Sequence, residues 1–504
     1  MGLGLFDAIV LFVFLSLAIW IGVRASKVNT SVEQFMLGNR DLPWWAILGS
    51  IVATETSTAT VLSLPASGFG PTGMAFLQLT LGYFAGRLLV IQILLPLYYQ
   101  GKLFSAYEVL QRRFGFNTAR FASLVFLVTR NLGDGLRLFL ASLVLHKLMG
   151  WNIILCSVSI GGITMLYSFI GGMRSVVWND CVQMFVYLAG GIATLFVIAG
   201  QIDGGWSALW DYAGANGKLQ VIHWRPPLDP AGETGGWLGW LHWILTEPLT
   251  LWGGVIGGGL LSLGTHGTDQ MMVQRYLSAR SQRDASWAIF GSVILVFLQF
   301  ALFLFIGVQL SCYYDQHQAE AVFSKADEVY AHFLLNSFPK NTGLIGLMLA
   351  AILAAAMSTL SSSLNSSATA VINDFYLPAC QAPPSPASIF RYTRWLTVGF
   401  GILQILIGVL AIGLSSTVVQ NALTIAGYSA GLLLGMFLLA LGNRRANQGS
   451  VILGALCGLI VLLLVQFVLP ATGSGLKVAW LWYALIGSCT TFVAGSLLSP
   501  RSPA

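Results

Sequence analysis

The run MSTLSSSLNSSAT, Met357 to Thr369, continues the apolar stretch GLIGLMLAAILAAA at residues 343–356 with no turn signal between them. Nine of the twelve residues from Ser358 onward carry a hydroxyl or an amide: Ser358, Thr359, Ser361, Ser362, Ser363, Asn365, Ser366, Ser367 and Thr369. A helix that enters a bilayer and then lines itself with oxygens is costly unless something uses them. Uncharged oxygen ligands suit a hard, weakly charged cation such as sodium. The stretch predicts an ion-coupled transporter.

Composition places the chain in a membrane. Of 504 residues 56% are hydrophobic and 9% charged, where a soluble chain carries about a quarter charged residues. Apolar windows of about 20 residues recur throughout, so the expected fold is an all-α polytopic membrane protein. The 56 glycines and 16 tryptophans fit close helix packing and interfacial anchoring. The first apolar segment, Leu5 to Val23, lacks a preceding basic residue and a small-residue cleavage site, and reads as a retained helix. The six cysteines are scattered without a CxxC, which implies neither a disulfide framework nor zinc.

The apolar pattern predicts thirteen helices, at about 5–23, 44–68, 74–99, 119–146, 152–171, 178–200, 237–264, 286–311, 342–372, 392–413, 418–441, 449–470 and 478–498. With the N-terminus outside, the inner segments hold sixteen Lys and Arg residues, Arg275 among them, and the outer ones six. That bias puts the C-terminus in the cytoplasm, and explains the net charge of +6 by topology rather than by nucleic acid. No soluble domain fits, so residues 1–504 read as a single transmembrane transporter domain.

Two helices read as broken. The second contains ATETSTAT at 53–60, a polar run inside an apolar segment. The seventh contains WGGVIGGG at 252–259, whose glycines each weaken a helix by about 1 kcal/mol relative to alanine. Interrupted helices at corresponding positions of two halves mark an inverted-repeat transporter with its site at the breaks. The first repeat would span 44–200 and the second 237–441, with 5–23 leading and 449–498 supplying two peripheral helices.

At the break, freed carbonyls near Ala53 and Thr56 become ligands. Ser358 and Thr359 offer hydroxyls, and Ala355 lies one turn earlier on the same face. A single membrane hydroxyl usually satisfies the carbonyl four residues back. Nine in twelve facing a broken helix favours an ion site. Asp180 either joins Ser358, Ser361 and Ser362 in a second cation site or caps its own helix. Glu55 lies within the break. Asp134 has Arg130 and Arg137 at i−4 and i+3, the spacing of a structural ion pair. Arg87 either attracts an anionic solute or pairs with Glu55.

Five segments, in order, resemble those of the sodium:solute symporters, the family of the sodium–glucose, sodium–proline, sialic acid, monocarboxylate, multivitamin and iodide transporters. They are LGNRDLPWW (37–45), SAYEVLQRRFG (105–115), YSFIGGMRSVVWNDCVQ (167–183), GTDQMMVQRYLSAR (267–280) and AAAMSTLSSSLNSSATAVINDFY (354–376). The resemblance implies a LeuT-like core of five plus five inverted helices. It implies a main sodium site at Ala53, Thr56, Ala355, Ser358 and Thr359, and a second at Asp180, Ser358, Ser361 and Ser362. It places a solute cavity near Glu55, Ser57, Thr60, Thr80 and His266. Thr60, Thr80 and His266 depart from the pattern of sugar-transporting members, while SAYEVLQRRF is closer to the monocarboxylate, vitamin and anion branch.

The expected function is sodium-coupled symport of a small organic solute, a monocarboxylate- or vitamin-like anion or a sugar-like solute, by alternating access in the plasma (inner) membrane. The partners are Na+, the solute and membrane lipid, with no nucleic acid, and the chain is a monomer or homodimer. The alternatives are a proton-coupled symporter of the same fold and a transporter-like sensor. An enzyme is not expected: HExxH, GxSxG and paired catalytic carboxylates are missing, and the six histidines lack ligand spacing.

Overall fold

The structure, a computed structural model, describes residues 4–26, 31–101, 103–227, 236–317, 323, 328–413, 418–472 and 476–500. Lys27, Lys102, Lys325 and Arg501 of the charge-bias reading lie outside the described residues, as do residues 228–235, 318–322 and 324–327 of the two outer loops. Among the described residues the regular structure is helical, apart from an isolated bridge between Leu42 and Ala279.

The chain opens with α1 (Leu5–Ser26), followed by α2 (Trp44–Glu55) and α3 (Thr58–Phe69). Next come α4 (Gly73–Tyr99) and α5 (Phe116–Met149). α6 (Ile153–Ala199) is two helices joined at Gly172, whose φ of 58° only glycine adopts readily. A Cβ there would sit 2.6 Å from the carbonyl oxygen of Phe35. The joint is needed because 47 residues of helix would run about 70 Å, twice the hydrocarbon thickness. Then follow α7 (Gly236–Thr246), α8 (Gly258–Gly267), the short α9 (Gln270–Leu277) and α10 (Gln282–Gln316). The chain closes with α11 (Leu344–Ala370), α12 (Pro386–Leu410), α13 (Val418–Gly442), α14 (Gln448–Leu463) and α15 (Tyr483–Leu497).

Every apolar segment read from the sequence coincides with helix. Nine described helices are long and apolar enough to cross a membrane, and α2 with α3, bent by 64°, make a tenth candidate as one broken span. Trp44, Trp45, Trp151 and Trp237 are exposed at or beside helix starts, where an interfacial ring anchors a span.

The second predicted break lies elsewhere than expected. α7 stops at Thr246, and helix resumes at Leu251. Pro248 explains this, because its missing N–H and the restriction on the residue before it end a helix. The glycines of WGGVIGGG instead form the wide turn Gly253–Gly257 and the start of α8. They let α4 approach to backbone contact: a Cβ on Gly82 would collide with the carbonyl of Gly254, and one on Gly86 with that of Gly259. Close packing of small residues, rather than unwinding, is their physical use.

α11 sits at the centre. From Met348 to Ala370 every residue is buried, on all faces. One apolar cluster packs Val52, Val61, Tyr187, Phe303, Ala351 and Ala355 together, joining α2, α3, α6, α10 and α11 around the first break.

Candidate functional site

Two residues between α2 and α3 leave the helical region. Thr56 has φ −81° and ψ 106°, and Ser57 has φ −103° and ψ 170°, both extended. The N–H of Ser57 would meet the Ala53 carbonyl in a continuous helix, but donates to Thr60 Oγ1 at 3.3 Å. Ala53 thereby loses its usual helical donor. The carbonyl of Thr54 accepts the Thr359 hydroxyl at 3.2 Å, and that hydroxyl is also 3.4 Å from the Ala355 carbonyl. The first break and α11 are therefore in direct contact. Thr56 turns its own hydroxyl the other way, to the Val52 carbonyl at 2.8 Å and into a knot with Tyr187 and Gln299. Ala53, Thr56, Ala355, Ser358 and Thr359 are all buried.

Asp180 lies inside the second half of α6, not at its start, so capping is not its role. Its carboxylate accepts Ser358 Oγ at 2.6 Å on Oδ1 and Ser50 Oγ at 2.5 Å on Oδ2. Arg275 Nη2 donates to the same Oδ2 at 3.1 Å. Ser362 Oγ lies 3.2 Å from Thr54 Oγ1. Ser361 donates to the Ser358 carbonyl at 3.1 Å, a bond within its own helix. Of the four residues grouped as a second ion site, Asp180, Ser358 and Ser362 share one polar cluster with Ser50, Thr54 and Arg275.

The nine polar residues of α11 do not share one face. Ser358, Thr359 and Ser362 meet α2 or Asp180. Ser363 accepts from Gln404 at 2.9 Å and Ser367 from Asn131 at 3.3 Å, on the side of α5 and α12. Asn365 and Thr369 accept from Gln274 of α9, at 2.7 and 3.1 Å. Ser366 bonds the Ser362 carbonyl behind it. Three residues, not nine, confront the broken helix; Ser363, Asn365, Ser367 and Thr369 fasten α11 to its neighbours, and Ser361 and Ser366 bond within it.

Beside the break is a cavity of about 150 Å³, lined by Thr54, Glu55, Tyr83, Arg130, Arg137 and His266 among others. Glu55 pairs with Arg87, and His266 Nε2 is 3.5 Å from its carboxylate. Arg87 is thus spent on Glu55 and not left for an anion. Asp134, fully buried, accepts Arg130 Nε at 2.6 Å and Arg137 Nη1 at 2.6 Å. Asp269 lines the same cavity, so two carboxylates stand beside these two guanidinium groups. Ser57 and Thr60 pair with each other, and Thr80 Oγ1 bonds the Leu77 carbonyl at 2.6 Å; Glu55 and His266 line this cavity.

Sequence reasoning missed Arg275. It falls in a segment read as an inner loop, yet it is 1% exposed and reaches Asp180 from α9. The available signal was its setting: seven of the eight residues of QMMVQRYL are uncharged, and a lone cation in a buried helix needs a partner.

A family model, "Sodium:solute symporter family", matches residues 35–461. The sodium/sialic acid symporter SiaT of Proteus mirabilis is 27% identical over 99% of this chain and 95% of its own length. The sodium-dependent multivitamin transporter of Oryctolagus cuniculus is 28% identical over 88% of this chain and 68% of its length. A solved Na+-coupled sialic acid symporter, substrate-bound and outward-open, superposes with a TM-score of 0.85 at 26% identity, covering 98% of both chains. A nucleobase-cation-symport-1 transporter shares the fold at a TM-score of 0.56 and 14% identity, over 94% of each chain. The relatives named here are transporters, not enzymes. This chain belongs to the sodium:solute symporter family, with a LeuT-like helical fold and sodium as its coupling ion.

Proposed function

We propose that sodium is held between the first break and α11, by the carbonyls of Ala53, Thr56 and Ala355 and the hydroxyls of Ser358 and Thr359. The observation that carries this reading is the bond from the Thr359 hydroxyl to the Thr54 carbonyl, which brings the break and the hydroxyl face within one ion's reach. The donor set fits: uncharged oxygens, buried, with the Ala53 carbonyl released from its helix. An ion there ties α2 to α11. Its departure frees the broken span to move relative to the rest.

The solute is an organic anion that occupies the cavity beside Glu55 and His266. The guanidinium groups of Arg130 and Arg137 on the cavity wall support an anion, because they carry more hydrogen-bond donors than their bonds to Asp134 use, while Asp134 and Asp269 balance their charge. The cavity wall also includes Asp269, Met271 and Met272, next to the arginine-rich inner side, while Ser57 and Thr60 are turned to each other. The protein is read as an alternating-access carrier in the plasma membrane, with its N-terminus outside and thirteen crossings arranged as two inverted five-helix repeats; the apolar spans and the likeness to the sialic acid symporter structure support this reading. A tenfold sodium gradient supplies about 1.4 kcal/mol and 100 mV about 2.3 kcal/mol per charge. One sodium then sustains roughly 500-fold accumulation of a neutral solute, but only about tenfold accumulation of a monovalent anion, whose charge cancels that of the ion so that the membrane potential does no work.

The test is thermal stability of the purified protein in sodium against choline, followed by carboxylates, sugars and amino acids added in sodium. Sodium is expected to stabilise alone, and carboxylates to add to it only when sodium is present. Equal melting in sodium and choline would sink the ion site, and stabilisation by sugars but not carboxylates would sink the anion.

A further inference from the structure

We infer that the guanidinium of Arg275 takes the place of a second sodium beside Asp180, so that the protein binds one sodium per chain. This rests on the sodium reading above and adds a count to it. The three hydroxyls gathered around Asp180 Oδ2, those of Ser50, Thr54 and Ser362, already face Arg275. Its Nε donates to Ser50 Oγ at 2.8 Å. Its Nη2 lies 3.1 Å from Asp180 Oδ2 and also donates to Thr54 Oγ1 and Ser362 Oγ. Its Nη1 is anchored one turn back, on the Met271 carbonyl at 2.6 Å. Two hydrogens on Nη2 are aimed at three oxygens, a crowding that leaves no room for another cation on them.

Charge gives the same answer as geometry. An arginine is always protonated, so Asp180 is neutralised in every state in which the two meet. A sodium on the same oxygens would lie about 4 Å from the guanidinium carbon, and like charges at that distance cost roughly a thousandfold in occupancy at the dielectric usual for proteins. For sodium to enter, Arg275 would have to leave. It is 1% exposed, and α9 is fastened on both sides of it. Gln274 donates to the Met36 carbonyl at 2.6 Å and to Asn365 Oδ1 at 2.7 Å, and Met271, Met272, Val273, Tyr276 and Leu277 are buried. Of the other members of the presumed second site, Ser358 donates to Asp180 Oδ1 at 2.6 Å and Ser361 is bonded to its own helix. The main site escapes this competition because its ligands are carbonyls and hydroxyls that Arg275 does not touch.

The inference is tested by equilibrium binding of radioactive sodium to the purified full-length protein, with choline as the replacement ion. The unsubstituted protein is expected to bind one sodium per chain with a Hill slope near one. Arg275→Gln exposes Asp180, Ser50, Thr54 and Ser362 to solvent ions and is expected to bind two. Adding Asp180→Asn to that variant is expected to return the count to one. Arg275→Ala is the second variant: guanidinium chloride at millimolar concentration should expel its second sodium and leave the first. A purely structural arginine would not produce that competition. Two sodium ions on the unsubstituted protein, or one on folded Arg275→Gln and Arg275→Ala alike, overturns the inference. No sodium on the unsubstituted protein would defeat the main site instead, which keeps the two failures apart.

Discussion

The hydroxyl of Thr359 reaches across from α11 to the carbonyl of Thr54, 3.2 Å away and 305 residues earlier in the chain, at the last turn before the first break. Between these two residues the hydroxyl-rich helix and the unwound segment become one site. Thr359→Val keeps the shape and removes the oxygen. The sodium concentration for half-maximal stabilisation should rise about tenfold or more, a loss of about 1.4 kcal/mol. Thr359→Ser should stay near the unsubstituted value, and sodium titrations of melting temperature compare them. If Thr359→Val titrates normally, the hydroxyl is not a ligand.

Asp134 is fully buried and holds both Arg130 and Arg137. Removing one partner of a buried charge group costs about 3–5 kcal/mol, because the others are left uncompensated. Asp134→Asn should therefore melt well below the parent protein. Arg137→Gln leaves Arg130 and Asp134 as a balanced pair and should fold. It should also lose most carboxylate-induced stabilisation while retaining the response to sodium alone. Those two readouts separate a folding role from a solute role.

Gly86 and Gly133 make opposite predictions from the same substitution. A Cβ at Gly86 would collide with the Gly259 carbonyl and lie 2.8 Å from Ser262 Cβ, so Gly86→Ala must push α4 from α8. The expected cost is about 1–3 kcal/mol of overpacking. At Gly133, on α5 beside the cavity, a Cβ meets nothing within 4 Å. Gly133→Ala should be neutral or gain up to about 1 kcal/mol from helix propensity. Melting temperatures of the two variants, measured in the same sodium buffer, check the contrast.

Replacing sodium by choline removes a ligand of the folded state. With sodium at a hundred times its dissociation constant, the lost stabilisation is about 2.7 kcal/mol. The melting temperature should fall on exchange and recover on return of sodium, with lithium the natural probe of size selectivity.

Much of this was legible in the chain. The thirteen apolar segments, the polar interruption at 53–60 and the ion pairing around Asp134 follow from hydropathy and from helical spacing, which are local properties. What was misread depended on distant partners. Counting nine polar residues on α11 overstated the ion-facing surface, because Gln274 on one side and Asn131 with Gln404 on another come from other helices and claim four of the nine. The glycines of 252–259 looked like helix weakeners because the backbone of α4 packed against them cannot be seen in a propensity. Arg275 passed as one more loop cation, since only the fold brings it to Asp180.

Asn179, the neighbour of Asp180, donates to the Ala18 carbonyl of α1 at 3.2 Å, and a Cβ on Gly171 would lie 2.9 Å from the carbonyl of Gly22. The leading helix thus works as a splint along the segment that carries the buried aspartate. A chain that began after it would keep every proposed sodium ligand and still lose the brace that holds Asp180, the partner of Ser358, in register.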